Sequence, residues 1–149
     1  MERALRVHLP DGKFQGTSPL RSRVMQAVRG SDNRTTERRL RFGLVGAGVR
    51  GWKVRPKGLA GNPDFFFAAQ KLAIFVDGCF WHGCPRCGHL PRANSAFWKA
   101  KIERNRARDE ETRAALKGQR IKVMRFWEHE LRNELDRCIE RIGEEGDDE

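Results

Sequence analysis

The segment from Phe75 to His89 constrains this chain most, because three of its four cysteines lie inside it. The segment reads Phe-Val-Asp-Gly-Cys-Phe-Trp-His-Gly-Cys-Pro-Arg-Cys-Gly-His, with Cys79, Cys84 and Cys87 in close succession. Closely spaced thiolates with Gly and Pro between them are typical of a small tetrahedral zinc site. The sequence therefore predicts a structural zinc ion in this segment.

Two other interpretations, a disulfide and a set of buried free thiols, explain the cysteines less well. A disulfide is disfavoured because the chain carries no secretory signal peptide, so we expect a reducing cytoplasm. Thiols that only fill a core do not need to stand so close together. The fourth cysteine, Cys138, lies at helical spacing with Leu131, Leu135 and Ile142, and we expect it to pack in the core.

Two acidic residues suggest a second metal site beside the first. Asp64 stands at the start of a predicted strand, and Asp77 directly follows the apolar run from Leu72 to Val76. Acids at the ends of neighbouring strands can meet at one sheet edge, where carboxylate oxygens suit a hard divalent cation. The sequence thus predicts one site of sulfur ligands and one of oxygen ligands.

The charge of the chain indicates a polyanionic partner. The 149 residues carry a formal net charge of +10, and five of the 20 acids lie after Arg141. Residues 1–142 therefore hold 30 bases and 15 acids, a net charge of +15. A body this basic favours nucleic acid. A membrane is disfavoured, because no stretch approaches the roughly 18 apolar residues of a spanning helix.

Hydrophobic periodicity predicts a single α/β domain. We expect a flexible arm over residues 1–20, a folded domain over 21–142 and an acidic, disordered tail over 143–149. The predicted helices cover residues 31–47, 94–118 and 130–142, and the predicted strands cover 51–55, 64–69, 72–76 and 120–127. Asn94 or Ser95 is the expected cap of the second helix. This order of elements predicts one mixed sheet covered by helices on both sides.

Glu37 lies on the apolar stripe of the first predicted helix, one turn before Leu40. An acid on a buried face requires a partner, whereas an acid near a helix start also interacts favourably with the helix dipole. The second helix raises a similar question, since its centre is almost wholly charged. Its polar residues form either a solvated face or a path for DNA phosphates. They include Lys99, Lys101, Arg104, Asn105 and Arg108.

Five ordered blocks resemble the very short patch repair (Vsr) endonucleases, DNA mismatch nickases with the PD-(D/E)-x-K restriction-endonuclease-like fold. The blocks are Ser22 to Val28, Thr36 to Leu40, Asn62 to Phe65, Val76 to His82, and Phe97-Trp98 with Asn105 to Asp109 and Trp127-Glu128-His129. The resemblance covers about residues 21–140, and the fourth block is its most specific part. It implies a three-layer fold with a central mixed sheet, flanking helices and a structural zinc site.

The resemblance also implies roles for individual residues in catalysis. Asp64 would bind a catalytic Mg2+ together with the backbone carbonyl of Val76, and His82 would activate or orient the attacking water. Asp77 occupies a position where family members carry His or Asp, and would assist at the metal-bound waters or the scissile phosphate. Glu37 matches a helix acid that reaches the active site through water.

The resemblance also implies which residues bind zinc and which contact DNA. Cys79, Cys84 and Cys87 match the family's structural zinc ligands, with His129 as the fourth ligand and His89 as its competitor. Met25, Phe80 and Trp81 match the side chains that wedge into the duplex beside the mismatch. Together with Asn105 and Arg108, they form the expected DNA-binding set.

The implied activity is Mg2+-dependent nicking of one strand of double-stranded DNA at or next to a T:G mismatch, which initiates mismatch repair. We expect a monomer in the cytoplasm, on the nucleoid when DNA is bound, with mismatch-repair proteins as further partners and no membrane contact. Two alternatives stay open at this point. One is a restriction- or defence-type nickase without a mismatch requirement, and the other is a non-catalytic, zinc-containing DNA-binding module.

Overall fold

Four strands form one mixed sheet in the computed structural model, which describes residues 3–9, 16, 20 and 34–147. The strands, in chain order and in spatial order, are β1 (Trp52–Val54), β2 (Phe65–Phe67), β3 (Leu72–Asp77) and β4 (Lys122–Trp127). The first three pair antiparallel, whereas β3 and β4 are parallel. A parallel pair requires a long crossover connection, and a helix provides it here.

Helices lie on both sides of this sheet. They are α1 (Arg34–Gly46), α2 (Ser95–Gly118), α3 (Glu128–Asn133) and α4 (Leu135–Asp147), preceded by a short 3-10 helix over Arg3–His8. The crossover between β3 and β4 contains α2. Among the described residues, no helix combines the length and the apolar character that crossing a membrane requires.

The two faces of the sheet carry separate apolar clusters. On one face, Leu40 and Leu44 of α1 pack against Phe65, Ile74 and the residues around them, including Leu131, Cys138 and Ile142 of the last two helices. On the other face, Ala73 and Phe75 pack against Leu116 and Ile121. These layers confirm the predicted α/β fold with a central mixed sheet between helices, and Cys138 is confirmed as a core cysteine.

Several predicted boundaries were wrong. The helix expected over residues 130–142 is two helices, because Glu134 leaves helical geometry with φ −134° and ψ 41°. The first of them begins directly after β4, where the Glu130 side chain accepts a hydrogen bond of 2.9 Å from the Trp127 amide. Strand β2 is shorter than expected. Asn94 has a left-handed backbone (φ 58°) and its side chain makes no capping hydrogen bond to α2.

Both ends of the chain are more ordered than expected where the structure describes them. At the start, Leu5 and Leu9 of the expected arm are buried against Phe97 and Trp98. At the end, α4 continues to Asp147 through the expected tail, since Ile142 extends its apolar face and Glu145 lies 3.4 Å from Lys122. The predicted caps at residues 31–33 lie outside the described residues.

We expect Leu5→Asp to release the N-terminal segment from α2. Leu5 is 4% exposed, and burying a leucine side chain contributes about 1.5–3 kcal/mol, which a carboxylate at that position forfeits. Tryptophan emission should shift to the red and become more sensitive to acrylamide, because Trp98 and Trp81 lie against this segment. Val7→Asp is the matched control, since Val7 is 79% exposed. Equal spectra for the two variants would contradict the packing.

Candidate active site and metal centre

The carboxyl ends of β3 and β4 meet at one edge of the sheet, where Asp77 lies opposite Trp127. Two segments start at this edge. One is the cysteine loop (residues 79–84), which follows β3, and the other is helix α3, which carries His129 and follows β4. Strand pairing therefore brings together residues that are about 50 positions apart in the chain, as expected for parallel neighbours.

Four donor atoms form a compact group at this edge, which we call the four-donor cluster. Its members are Cys79, Cys84, Cys87 and His129, and their sulfur and nitrogen atoms all lie within 4.8 Å of one another. His129 Nδ1 is 3.3 Å from the Cys79 sulfur and 3.6 Å from the Cys84 sulfur. His89 is exposed and does not belong to the group. All four cysteines are free thiols rather than disulfides.

Backbone hydrogen bonds shape the loop that carries these thiols. The Cys84 amide donates to the Cys79 carbonyl, and the Gly88 amide donates to the Cys84 carbonyl, both at 2.8 Å. Burial raises the pKa of Cys79 to about 11. Burial also acts to raise the pKa of Cys84, but hydrogen bonds from the backbone of Cys87 and Arg86 outweigh it and lower that pKa.

Asp64 lies beside the end of β3. Its Oδ2 accepts a hydrogen bond of 2.7 Å from the Val76 amide, which places the carboxylate next to the Val76 backbone. Burial raises the pKa of Asp64 to about 6; the Val76 hydrogen bond opposes this shift and the negative charge of Glu37 adds to it. Because this environment disfavours the ionised form of Asp64, a cation nearby would stabilise the carboxylate.

Glu37 has the partner that its buried position demanded. Its side chain is within 2.5 Å of the Arg55 guanidinium. The Arg55 amide donates to the Asp64 carbonyl at 3.0 Å, and Arg55 adopts a positive φ of 45°. Arg55 thus connects the acid of α1 to the strand that begins after Asp64. Sequence analysis predicted that Glu37 needs a partner but did not identify Arg55.

A second group, the histidine–carboxylate cluster, consists of Asp77, His82 and Asp109. His82 Nδ1 is 2.6 Å from Asp109 Oδ2, and His82 Nε2 is 3.9 Å from Asp77 Oδ1. An ionised carboxylate can only accept, so the shorter contact assigns a proton to Nδ1. In neutral His82 this leaves a lone pair on Nε2, the nitrogen on the Asp77 side.

Charges and burial act against each other in this cluster. Burial raises the pKa of Asp77, although His82 and Arg125 counteract it. Burial lowers the pKa of His82, but the hydrogen bond to Asp109 and the charges of Asp77 and Asp109 outweigh it, so the net shift is upward. Arg125 Nη1 donates to both oxygens of Asp77, at 2.9 and 3.1 Å.

Side chains of α2 hold the cysteine loop from the other side. Asn105 Nδ2 donates to the Trp81 carbonyl at 2.8 Å, and Arg106 donates to the carbonyls of His82 and Gly83. Gly83 has a φ of 65°, and a Cβ there would lie 2.6 Å from Ile102. In the structure without DNA, Asn105 therefore orients the loop. Its predicted DNA contact stays a prediction, as does that of the exposed Arg108.

The aromatic pair of the loop belongs to a larger aromatic cluster. Phe80 and Trp81 are half-buried and contact each other edge to face at 5.1 Å, and both contact Trp98, at 5.4 and 5.7 Å. Such edge-to-face pairs stabilise a fixed arrangement of rings. Met25, the third residue of the predicted wedge, lies outside the described residues.

Asp109 and Arg125 are the site residues that sequence analysis missed. Asp109 lies one helical turn after Asn105, within the fifth block of the family resemblance, but only the fold shows that its side chain reaches His82. Arg125 follows Ile121 and Val123 at strand spacing, on a face that packs against α2. The sequence signal for Arg125 was a charged residue at a position where the strand alternation predicts an apolar one. Glu37, a charged residue on the apolar stripe of its helix, was a signal of the same kind.

We expect Asp64→Asn to stabilise the protein in the absence of Mg2+ above pH 6. A native pKa of about 6 against an ordinary 3.8 means that the native state binds more protons between these values, so ionisation of Asp64 weakens folding as pH rises. The shift corresponds to about 2–3 kcal/mol at pH 7 and to nothing below pH 3. Urea unfolding against pH measures it.

The control is Asp136→Asn, which changes an exposed aspartate of α4. Because Asp136 lies in the first turn of α4, where a negative charge is favourable, its replacement should not raise the free energy of unfolding at pH 7. A free energy of unfolding for Asp64→Asn that equals that of the wild type at pH 7 would contradict the described environment of Asp64.

Comparison with known proteins relates the chain to DNA-cleaving enzymes. The family model described as DNA mismatch endonuclease Vsr matches residues 15–87. The chain is 44% identical over 117 residues to the type II nicking enzyme V.XorIIP of Xanthomonas oryzae. The matched region covers 76% of this chain and 84% of that protein. It is 42% identical over 114 residues to the type II nicking enzyme V.NaeI of Lentzea aerocolonigenes, covering 74% and 68%. It is also 34% identical over 114 residues to the DNA mismatch endonuclease Vsr of Escherichia coli, covering 75% and 71%.

Proposed function

The chain belongs to the Vsr DNA mismatch endonuclease family, and from this premise we propose that it nicks one strand of duplex DNA at or next to a T:G mismatch, with Mg2+ as cofactor. It is a DNA endonuclease, and family membership disfavours the non-catalytic binding module that the sequence left open. The observation that supports the proposal is that Asp64 accepts a hydrogen bond from the Val76 amide, one residue before Asp77, which itself lies 3.9 Å from His82.

The oxygen groups beside β3 fit a hard divalent cation. Asp64 and the Val76 backbone carbonyl would hold it, and Mg2+ bound there would neutralise charge on the scissile phosphate and stabilise the leaving 3′ oxygen. Asp64 is the natural anchor, because its buried carboxylate lies close to the negative charge of Glu37. Glu37 is itself held by Arg55 and would act on the site through water.

His82 is the residue best placed to accept a proton from the attacking water. Its Nδ1 proton is held by Asp109 at 2.6 Å, so Nε2 is the free base. An imidazole accepts protons near neutral pH, and an acid partner stabilises the imidazolium that results. Asp77, 3.9 Å from Nε2, would position that water or the phosphate.

The four-donor cluster fits a closed, structural zinc site. Donor atoms around tetrahedral zinc, with Zn–S near 2.3 Å, lie roughly 3.5–3.8 Å apart, which is close to the spacing of this cluster. Cys79 and Cys84 bracket residues 80–83, so zinc would fix both ends of the segment that carries Phe80, Trp81 and His82. His129 is proposed as the fourth ligand, in preference to the exposed His89.

The aromatic pair supplies a physical basis for mismatch preference. Inserting rings between base pairs costs a few kcal/mol of unstacking per step, and this cost is lowest where pairing is already weak. Phe80 and Trp81, with Met25, are the proposed wedge. Basic residues such as Arg108 would supply sequence-independent contacts to phosphates, and the neutral amide of Asn105 is proposed as a further DNA contact.

Partners and setting follow from this activity. Duplex DNA is the substrate, and we propose that the protein acts as a monomer on the chromosome, in the cytoplasm, where its product would be passed to mismatch-repair proteins.

A second candidate activity is supported by the names of the relatives. Relatives at 44% and 42% identity are type II nicking enzymes, whereas the mismatch endonuclease of Escherichia coli is 34% identical. The second candidate is thus a nickase that cuts fully paired duplex as well. It uses the same Asp64 and His82 chemistry and differs only in what the wedge requires of the DNA.

We expect the wild-type protein with Mg2+ to place a single nick in the T strand of an end-labelled duplex with one G:T mismatch, and to leave the paired duplex intact. Asp64→Ala should lower cleavage by at least about 10³-fold, because the cation loses its anchor, yet keep DNA affinity within a few fold. Denaturing gels and a mobility shift measure the two quantities. Cleavage of both duplexes would establish the second candidate, and an active Asp64→Ala variant would overturn the catalytic assignment.

We expect Cys84→Ser to reduce bound zinc well below stoichiometric and to lower the thermal midpoint, since the binding energy of a structural metal is folding energy. Cys138→Ser is the matched control, because it also removes one buried thiol but lies in the apolar core. It should lower stability without loss of zinc. Atomic emission measures the metal and calorimetry the midpoint; equal zinc in Cys84→Ser and the wild type would remove the zinc assignment.

A further inference from the structure

Arg125 occupies an unusual position for a cation, in the middle of β4 on the face that packs against α2. Its side chain is only 16% exposed, and its guanidinium carbon lies 4.3 Å above the Phe75 ring. Its buried Nε has no hydrogen-bond partner among the described residues. Placing an arginine here therefore costs free energy that an apolar residue would not incur.

The contacts of Arg125 explain what it does in this position. Nη1 reaches both oxygens of Asp77 at 2.9 and 3.1 Å, and it is 3.5 Å from Asp109 Oδ1. Asp77 ends β3, whereas Asp109 lies on α2. One guanidinium thus connects the two carboxylates that flank His82, and it does so from a strand that belongs to the rigid sheet.

We propose that Arg125 is a positioning residue, which holds Asp77 and Asp109 on opposite sides of His82 and thereby orients the imidazole. The inference rests on the proposed function of His82. Two carboxylates that face one imidazole repel each other, and they compete for the single N–H of the neutral ring, since Asp109 faces Nδ1 and Asp77 faces Nε2. With both oxygens of Asp77 bound to Arg125, Asp109 is the carboxylate that accepts the hydrogen bond from the N–H of His82, at Nδ1.

The shape of the guanidinium matters as well as its charge. A planar fork restrains its carboxylate partners in direction, whereas an ammonium group acts as a point charge on a flexible stem. Lysine at this position would keep the charge and lose the fixed direction. Conservative replacement therefore separates positioning from simple neutralisation of Asp77.

The first experiment measures nicking by Arg125→Lys and Arg125→Gln under saturating and subsaturating DNA. We expect kcat to fall about 10- to 100-fold in both variants, because small displacements of a catalytic group cost that much, with KM nearly unchanged. Arg132→Lys is the matched control, since Arg132 forms an exposed ion pair with Glu128 away from the cluster. An Arg125→Lys variant with the wild-type kcat would overturn the proposal.

A double-variant cycle tests whether Arg125 acts through Asp77. If it does, Asp77→Asn and Arg125→Gln combined should be no more than about threefold slower than the poorer single variant, because residues that act as a unit are not additive. Fully multiplicative losses would contradict action through Asp77.

A readout without cleavage keeps the inference separate from the proposed function. In the wild type, the imidazole ¹⁵N resonances of His82 should report a proton on Nδ1 and a downfield Nδ1–H signal. Arg125→Gln should shift or broaden that signal, while Arg132→Lys should not. If the wild type fails to cut DNA, the proposed function is wrong and this spectrum still decides the role of Arg125; a His82 spectrum unchanged by Arg125→Gln would overturn it.

Discussion

The parallel pairing of β3 and β4 is the interaction on which the site depends. It places Asp77 opposite Trp127, so that the loop after β3 and the helix after β4 begin at the same edge. Cys79 and His129 are 50 residues apart in the chain and 3.3 Å apart in space for this reason. The crossover that a parallel pair requires is α2, and its length brings Asn105, Arg106 and Asp109 alongside the same loop. The topology of this one strand pair therefore brings together the four donor atoms, the cysteine loop and the carboxylate partner of His82.

The cysteine loop is restrained from two independent directions. Its ends carry donor atoms of the four-donor cluster, and its carbonyls at positions 81 to 83 accept hydrogen bonds from Asn105 and Arg106. A loop held only at its ends would still rotate between them, and a loop held only by α2 would lose its register at the cysteines. Both restraints together orient His82, as its proposed role as proton acceptor for the attacking water would require.

Local patterns in the sequence predicted most of the elements and the cysteine cluster. Alternation and helical spacing predicted the strands and the long helix, and the density of cysteines predicted a thiolate metal site, whereas His129 as the fourth donor was implied by the family resemblance. Pairings across elements were not predictable in this way. That Asp109 reaches His82, and that Arg55 reaches Glu37, depends on how α2 and β1 are placed against the sheet, which no local spacing encodes. The break at Glu134 was not predictable because Leu131, Leu135, Cys138 and Ile142 keep helical spacing across it.

Apolar and charged residues are concentrated on different sides of the sheet, and the buried charges connect the stability of the protein with its proposed function. The cluster between the sheet, α1 and α4 is apolar, although the buried acid Glu37 lies on α1. The charged residues Asp77, His82, Asp109 and Arg125 gather instead on the side of β3 and β4 that faces α2. Burial that raises the pKa of Asp64 to about 6 weakens the protein by itself. The same burial strengthens attraction to a cation, since a bound metal ion would restore the ionised carboxylate and reverse the shift. Cation binding at Asp64 would therefore add to the free energy of folding, which would couple binding to the order of the sheet edge where the reaction is proposed to occur.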